Sequence, residues 1–284
     1  MNEFENLTVN EIFVSIQGEG LYAGVPSIFM RLTGCNLYCS WKGLMGTSMC
    51  DSLYASHPKD REKEIRYKTV SETYNAIMEL RKQYPNVKSL VVTGGEPLLQ
   101  RGGLLKLFER LGRDLLISFE TNGTLPPFTH IDYKKYNVDS YKFNIDLYTV
   151  SPKLKSSCYF EGSTLPEAIQ KYHVAHRINI ENLVKFIRND ENDFMFKFVV
   201  STEEDIEEIK DIFKRIVKWY EDFDYDRLEN VKKRLVNQTY IMPCGETDEK
   251  LQKSRELCVK ACLENGWSYT DRLHIIIWGN KRGV

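Results

Sequence analysis

Apolar residues fall along this chain in short runs separated by stretches of helical spacing. Ile12, Val14 and Ile16 alternate over residues 11–16 and predict a strand. Further apolar runs predict strands at 26–32, 87–92, 115–119, within 141–150, and at 194–200, 239–242 and 274–278. Between them, Tyr74, Ile77, Met78 and Leu80 predict a helix over 70–84, stopped by Pro85. Helices are also expected at 103–111, 165–172, 180–187 and 248–266, and from Thr202, a capping hydroxyl followed by Glu203 and Glu204, to about Tyr220. Residues 57–68 and 222–233 are charge-dense and read as solvated connections. Strands alternating with helices imply a parallel sheet with right-handed crossovers, hence an α/β fold. About six strands before the last are too few for a closed eight-strand barrel.

Composition narrows the class. The 284 residues are 42% hydrophobic and 12% aromatic, enough for a sizeable core, and one domain over 1–284 is expected. Peripheral elaborations are expected near 154–192 and 221–236. The net charge of −1 gives no reason to expect nucleic acid or an anionic membrane as partner. No apolar run reaches membrane-span length, and the acidic start has no signal-peptide core, so the cytoplasm is expected. Seven cysteines, an odd number in scattered sets, do not suggest a disulfide framework.

Three of those cysteines change the picture. Cys35, Cys39 and Cys50 sit in one glycine-bearing loop directly after the 26–32 run. Thiolates gathered this closely read first as iron–sulfur ligands, against the plainer reading of buried, inert thiols. Three protein ligands would leave one iron of a [4Fe–4S] cluster open to a small molecule. Other strand ends carry polar and glycine residues, where parallel α/β folds put their sites. These are Gln17-Gly18-Glu19-Gly20, Thr93-Gly94-Gly95-Glu96-Pro97, Glu120-Thr121-Asn122-Gly123-Thr124 and Ser151-Pro152-Lys153. Gln17 and Glu19 could hydrogen-bond a planar polar ring, although a hairpin turn explains the glycines equally well. Arg31 is either a fork for a substrate carboxylate or a surface charge. Cys244, Cys258 and Cys262 form a later set; Cys258 and Cys262 share a helix face, and buried thiols are the better reading than metal.

The cysteine loop with Gly-Gly-Glu-Pro downstream resembles the radical S-adenosylmethionine (SAM) enzymes. Ile16-Gln17-Gly18-Glu19-Gly20, Arg31-Leu32-Thr33-Gly34-Cys35, Cys50-Asp51-Ser52 and the tail Trp278-Gly279-Asn280-Lys281-Arg282-Gly283-Val284 resemble the 7-carboxy-7-deazaguanine synthase family of the queuosine (deazapurine) pathway. The resemblance implies a partial TIM-like radical SAM barrel. It implies a homodimeric lyase that converts 6-carboxy-5,6,7,8-tetrahydropterin to 7-carboxy-7-deazaguanine by hydrogen abstraction, ring contraction and ammonia loss. The implied cofactors are a [4Fe–4S] cluster on Cys35, Cys39 and Cys50, SAM, and Mg²⁺ on Ser52. The implied SAM contacts are Gly95, Glu96 (at the ammonium), Ser151, Pro152, Lys153, Asp51 and Trp41. Ile16, Gln17, Gly18, Glu19, Arg31, Thr93 and Val284 would hold the pterin. An electron donor such as flavodoxin is the implied protein partner.

The chain departs from this pattern in one place. The usual C-x3-C-x2-C spacing is here C-x3-C-x10-C, as if the residues from Lys42 to Met49 interrupted it. Inserted loops cost little, because closure entropy grows with the logarithm of length. Two other readings stay open: an activase of glycyl-radical enzymes, and a cluster-free relative turned binding or regulatory protein.

Overall fold

The computed structural model describes residues 5–42, 47–58, 64–189, 192–245, 247–279 and 281–284. Its frame is a nine-stranded sheet. The strands are β1 (Asn6–Ile16), β2 (Pro26–Leu32), β5 (Tyr67–Thr69), β6 (Ser89–Gly94), β7 (Leu116–Thr121), β8 (Leu147–Val150), β9 (Asp193–Val200), β10 (Thr239–Pro243) and β11 (Ser268–Tyr269). They lie in the order β11-β10-β9-β8-β7-β6-β2-β1-β5. From β2 to β11 every neighbouring pair is parallel, while β1 runs antiparallel to both β2 and β5. The sheet does not close into a barrel: β11 and β5 are its edges. β3 (Ser40–Lys42) and β4 (Thr47–Met49) form a separate antiparallel hairpin.

Parallel neighbours need crossovers, and helices supply them. These include α2 (Val70–Gln83), after the short α1 (Leu53–Ser56), then α3 (Arg101–Leu111) and α4 (His130–Tyr136). α5 (Glu167–His176), α6 (Ile180–Arg188), α7 (Glu203–Phe223), α8 (Leu228–Asn237) and α9 (Asp248–Asn265) follow. The central strands are apolar on both faces, as burial on both sides demands: Leu90, Val91 and Val92 of β6 and all four residues of β8 are buried. α7 buries Ile206, Ile209, Ile212, Ile216 and Tyr220, one stripe at helical spacing. Capping boxes fix the starts of α2 (Thr69 with Glu72) and α7 (Thr202 with Asp205), each worth about 1 kcal/mol.

Two expectations are corrected. Residues 274–278 are not a strand but part of α10 (Leu273–Trp278). The slot beside β10 is filled by β11, and Ile276 and Ile277 are half exposed, so the isoleucine run is not a buried ribbon. Residues 222–233 are not merely a solvated connection either. They include most of α8, whose Leu228, Val231 and Leu235 enter the core at i, i+3 and i+7. Parts of the 42–49 insertion (43–46), of the 57–68 connection (59–63) and of the 154–192 elaboration (190–191) lie outside the described residues.

Candidate active site

The C-terminal ends of the parallel strands open onto one cavity of about 690 Å³. Cys35 enters it from the turn after β2, and Cys39 and Cys50 from either side of the β3–β4 hairpin. The hairpin pairs Ser40 with Met49 and Lys42 with Thr47, and the amide of Cys50 donates to the carbonyl of Cys39 at 3.2 Å. The irregular spacing is thereby explained: the end of the insertion pairs back onto Ser40, Trp41 and Lys42 and returns the chain to its starting point. The third cysteine is delivered beside the second despite the ten intervening residues. Beyond it, the amide of Leu53 donates to the Cys50 carbonyl and that of Gly34 to the Ala55 carbonyl, tying the loop's two ends together.

Burial pushes all three thiols up, Cys35 to about 12, and each is raised further by negative charge on its neighbours. The Lys153 ammonium opposes this at all three. Three converging thiols beside one cation suit an iron–sulfur cluster, whose assembly requires thiolates and releases their protons. Among the described residues no three His, Cys, Asp or Glu side chains are grouped to hold one metal ion. Cubane ligands need not be: each sulfur takes a different iron, so they stand further apart than ligands of a single ion.

The wall beside the cysteines is largely backbone. The Gly95 amide reaches the Leu32 carbonyl at 3.3 Å, and a Cβ at Gly95 would collide with the Gly34 carbonyl. Glycine is therefore required for the β6 loop to lie against the cysteine loop. Thr93, Gly95, Ser151 and Lys153 line the cavity, with Lys153 Nζ donating to Ser151 Oγ at 3.1 Å. Trp41, Asp51 and Ser52 line it too, and Ser52 Oγ lies 3.3 Å from the Cys50 sulfur. Glu96 and Pro152 are not among the lining residues. The Glu96 carboxylate is buried and accepts from the Leu98 amide (3.0 Å), Thr121 Oγ1 (2.8 Å) and the Asn122 amide (2.7 Å). It pins the ends of β6 and β7 together from behind the wall.

The rest of the lining is charged. Ile16, Gln17, Gly18, Glu19, Arg31 and Val284 all border the same cavity. Lys197, at the middle of β9, donates to Glu19 and to Glu120, each at 2.6 Å. Gln17 Nε2 donates to the other Glu120 oxygen at 3.1 Å, and Arg272 bridges Glu19 (3.0 Å) to Asp51 (2.6 Å). Burial works against ionising Glu19, but the charges of Lys197 and Arg272 outweigh it and hold the carboxyl well below its usual range. Burial and the Glu19 charge push the Glu120 carboxyl up, against the opposing pull of Lys197. The His274 ring packs directly on Gly18, where a Cβ would strike it, and the Leu273 amide donates to the Gly18 carbonyl at 2.9 Å.

Sequence reasoning missed Lys197, Arg272 and His274 as site residues. Lys197 did carry a signal: it is the one charge in the run Phe194-Met195-Phe196-Lys197-Phe198. His274 was hidden by the strand reading, and Arg272 carried no signal at all. Of the later cysteines, Cys258 lies in the hydrophobic core with Cys262, while Cys244 lines the cavity.

The family comparisons agree with this geometry. Residues 31–213 match the model of the Radical SAM superfamily, which fixes the class of the protein. A 7-carboxy-7-deazaguanine synthase of Halobacterium salinarum is 32% identical over 277 residues, covering 96% of this chain and 91% of that protein. One of Pyrobaculum aerophilum is 29% identical and covers 100% of both. Among solved structures, QueE from Escherichia coli superimposes with a TM-score of 0.52 over 95% of each chain, at 20% identity, a likeness of fold. The chain belongs to the 7-carboxy-7-deazaguanine synthase family of radical SAM enzymes.

Proposed function

We propose that this protein converts 6-carboxy-5,6,7,8-tetrahydropterin to 7-carboxy-7-deazaguanine and ammonia; its relatives are named as synthases of that product. The observation that carries this reading is that one cavity is lined both by the three cysteines of the loop and by Gln17, Glu19 and Arg31. Neither an activase nor a cluster-free binding protein is favoured by the names of the relatives.

The cluster and SAM, when bound, supply the hydrogen-abstracting radical that starts the ring contraction. The chain's own residues do the rest. Cys35, Cys39 and Cys50 hold the cluster, and the open backbone at Gly95, with Ser151 and Lys153, holds SAM beside it. Asp51 and Trp41 flank that position. Glu96 acts on SAM only indirectly, by setting the strand ends. Arg31 takes the substrate carboxylate, Glu19 accepts from the pterin edge and Gln17 accepts from or donates to it, with Ile16, Gly18, Thr93 and Val284 shaping the pocket. Ser52 would offer its hydroxyl to Mg²⁺, an oxygen ligand of the hard kind that cation takes. Lys197, Arg272 and Gln17 donate to all four oxygens of Glu19 and Glu120, which fixes these groups in place. The whole chain acts as one radical SAM domain, working in the cytoplasm as a homodimer and reduced by a donor such as flavodoxin.

The test is direct. Protein reconstituted without oxygen, given the carboxytetrahydropterin, SAM and reductant, is expected to yield the deazaguanine by mass detection, with SAM recovered. SAM cleavage without any deazaguanine would refute the substrate and keep the class.

A further inference from the structure

The last four residues do not trail away from the protein. Lys281, Arg282, Gly283 and Val284 all line the active-site cavity, so the chain's end is one of its walls. What holds it there is Arg282. Its guanidinium lies 3.6 Å from the ring centre of Tyr54, which stands in α1 directly after the cysteine loop. Arg282 Nη2 donates to Asn10 Oδ1 at 2.9 Å and to Glu64 at 3.1 Å, and its Nε reaches Glu11 Oε2 at 3.3 Å.

Glu11 is the hinge of the arrangement. Its side chain is only 6% exposed, and its other oxygen accepts from Arg31 Nε at 2.8 Å and from the Tyr54 hydroxyl at 2.9 Å. One buried carboxylate is therefore shared between two arginines, one on the cavity wall and one on the tail. Burial penalises ionised Glu11, but hydrogen bonding and charge from Arg31, then Tyr54 and Arg282, keep it low. Without Arg282, Glu11 would be left to Arg31 and Tyr54 alone.

We propose that Arg282 is a positioning residue: it straps the C-terminal segment across the cavity and, through Glu11, sets the orientation of Arg31 toward the substrate. The Arg31 half of this inference rests on the reading that Arg31 holds the substrate carboxylate. The strap half does not.

Two readouts separate the halves. Carboxypeptidase digestion of the intact, substrate-free protein reports how firmly the tail is held. Arg282→Ala should release Val284 about tenfold faster, the size of effect that a partly exposed stack and its ion pairs together support. Arg282→Lys keeps the charge without the flat fork and should fall between. In turnover, Arg282→Ala should raise KM for the pterin more than it lowers kcat. Arg282 is 40% exposed, so neither variant threatens the core. Unchanged release of Val284 would overturn the strap. Faster release with unchanged KM would overturn the link to Arg31, as would loss of kcat and iron together at constant KM, the mark of a structural residue. If the parent protein fails to turn over the pterin at all, the functional reading falls, while the digestion still decides the strap.

Discussion

Two parts of the cavity lining are built in different ways. The cysteine wall is local: Cys35, Cys39 and Cys50 come from one loop, supported by a hairpin that pairs with itself and by backbone contacts at Gly34 and Gly95. The substrate wall is assembled from far apart. Lys197 reaches Glu19 across 178 positions of sequence, and Arg272 reaches Glu19 across 253. A wall of local backbone tolerates nearby insertions, because its geometry is set within the loop. A wall of shared charges does not tolerate loss of a member, because each partner left behind is a buried, unmatched ion.

Removing a ligand should have the largest effect. Cys50→Ala is expected to abolish turnover and most bound iron, read by metal analysis of oxygen-free protein; full iron content would remove Cys50 from the ligand set. Next is Lys197→Met, which leaves Glu19 and Glu120 facing each other. It should cost about 3–5 kcal/mol in urea unfolding, and a loss below 1 kcal/mol would show that the triad is solvated in practice. Arg31→Ala removes a charge-assisted contact and should raise the pterin KM about 10- to 100-fold. Dithionite-driven SAM cleavage should persist in that variant, and equal loss of both would make Arg31 structural. The smallest effect is expected from deleting 42–49, which joins Cys39-Ser40-Trp41 directly to Cys50. Iron content should stay near that of the parent, since the deletion leaves Cys39-Ser40-Trp41-Cys50, the usual two-residue spacing. Loss of the cluster would show that the insertion shapes the loop.

The same contrast explains what could be read from the sequence. The cysteine loop, Gly94-Gly95 and the central strands were legible because spacing and apolar runs are local signals. Ser151 and Lys153 followed from their place at a strand end. The charged wall was only half legible: Gln17, Glu19 and Arg31 could be named, but not the partners that fold back onto them. Lys197 is polar in an apolar strand because the strand's inner face lines the cavity, something that no local rule reports. α10 was misread because three isoleucines favour a strand locally, while the tertiary structure had already filled that edge with β11. The direction of the Glu96 carboxylate was not legible either, since its motif fixes its position in sequence and not the partners it accepts from.

The central claim is that three cysteines leave one iron of the cluster open to SAM in this cavity. Electron paramagnetic resonance of the reduced protein, recorded before and after adding SAM, tests it most directly. The cluster signal is expected to shift on SAM addition in the parent protein and to be absent from Cys50→Ala. A signal that SAM leaves unchanged would mean that every iron already has a fixed ligand, and would contradict the account.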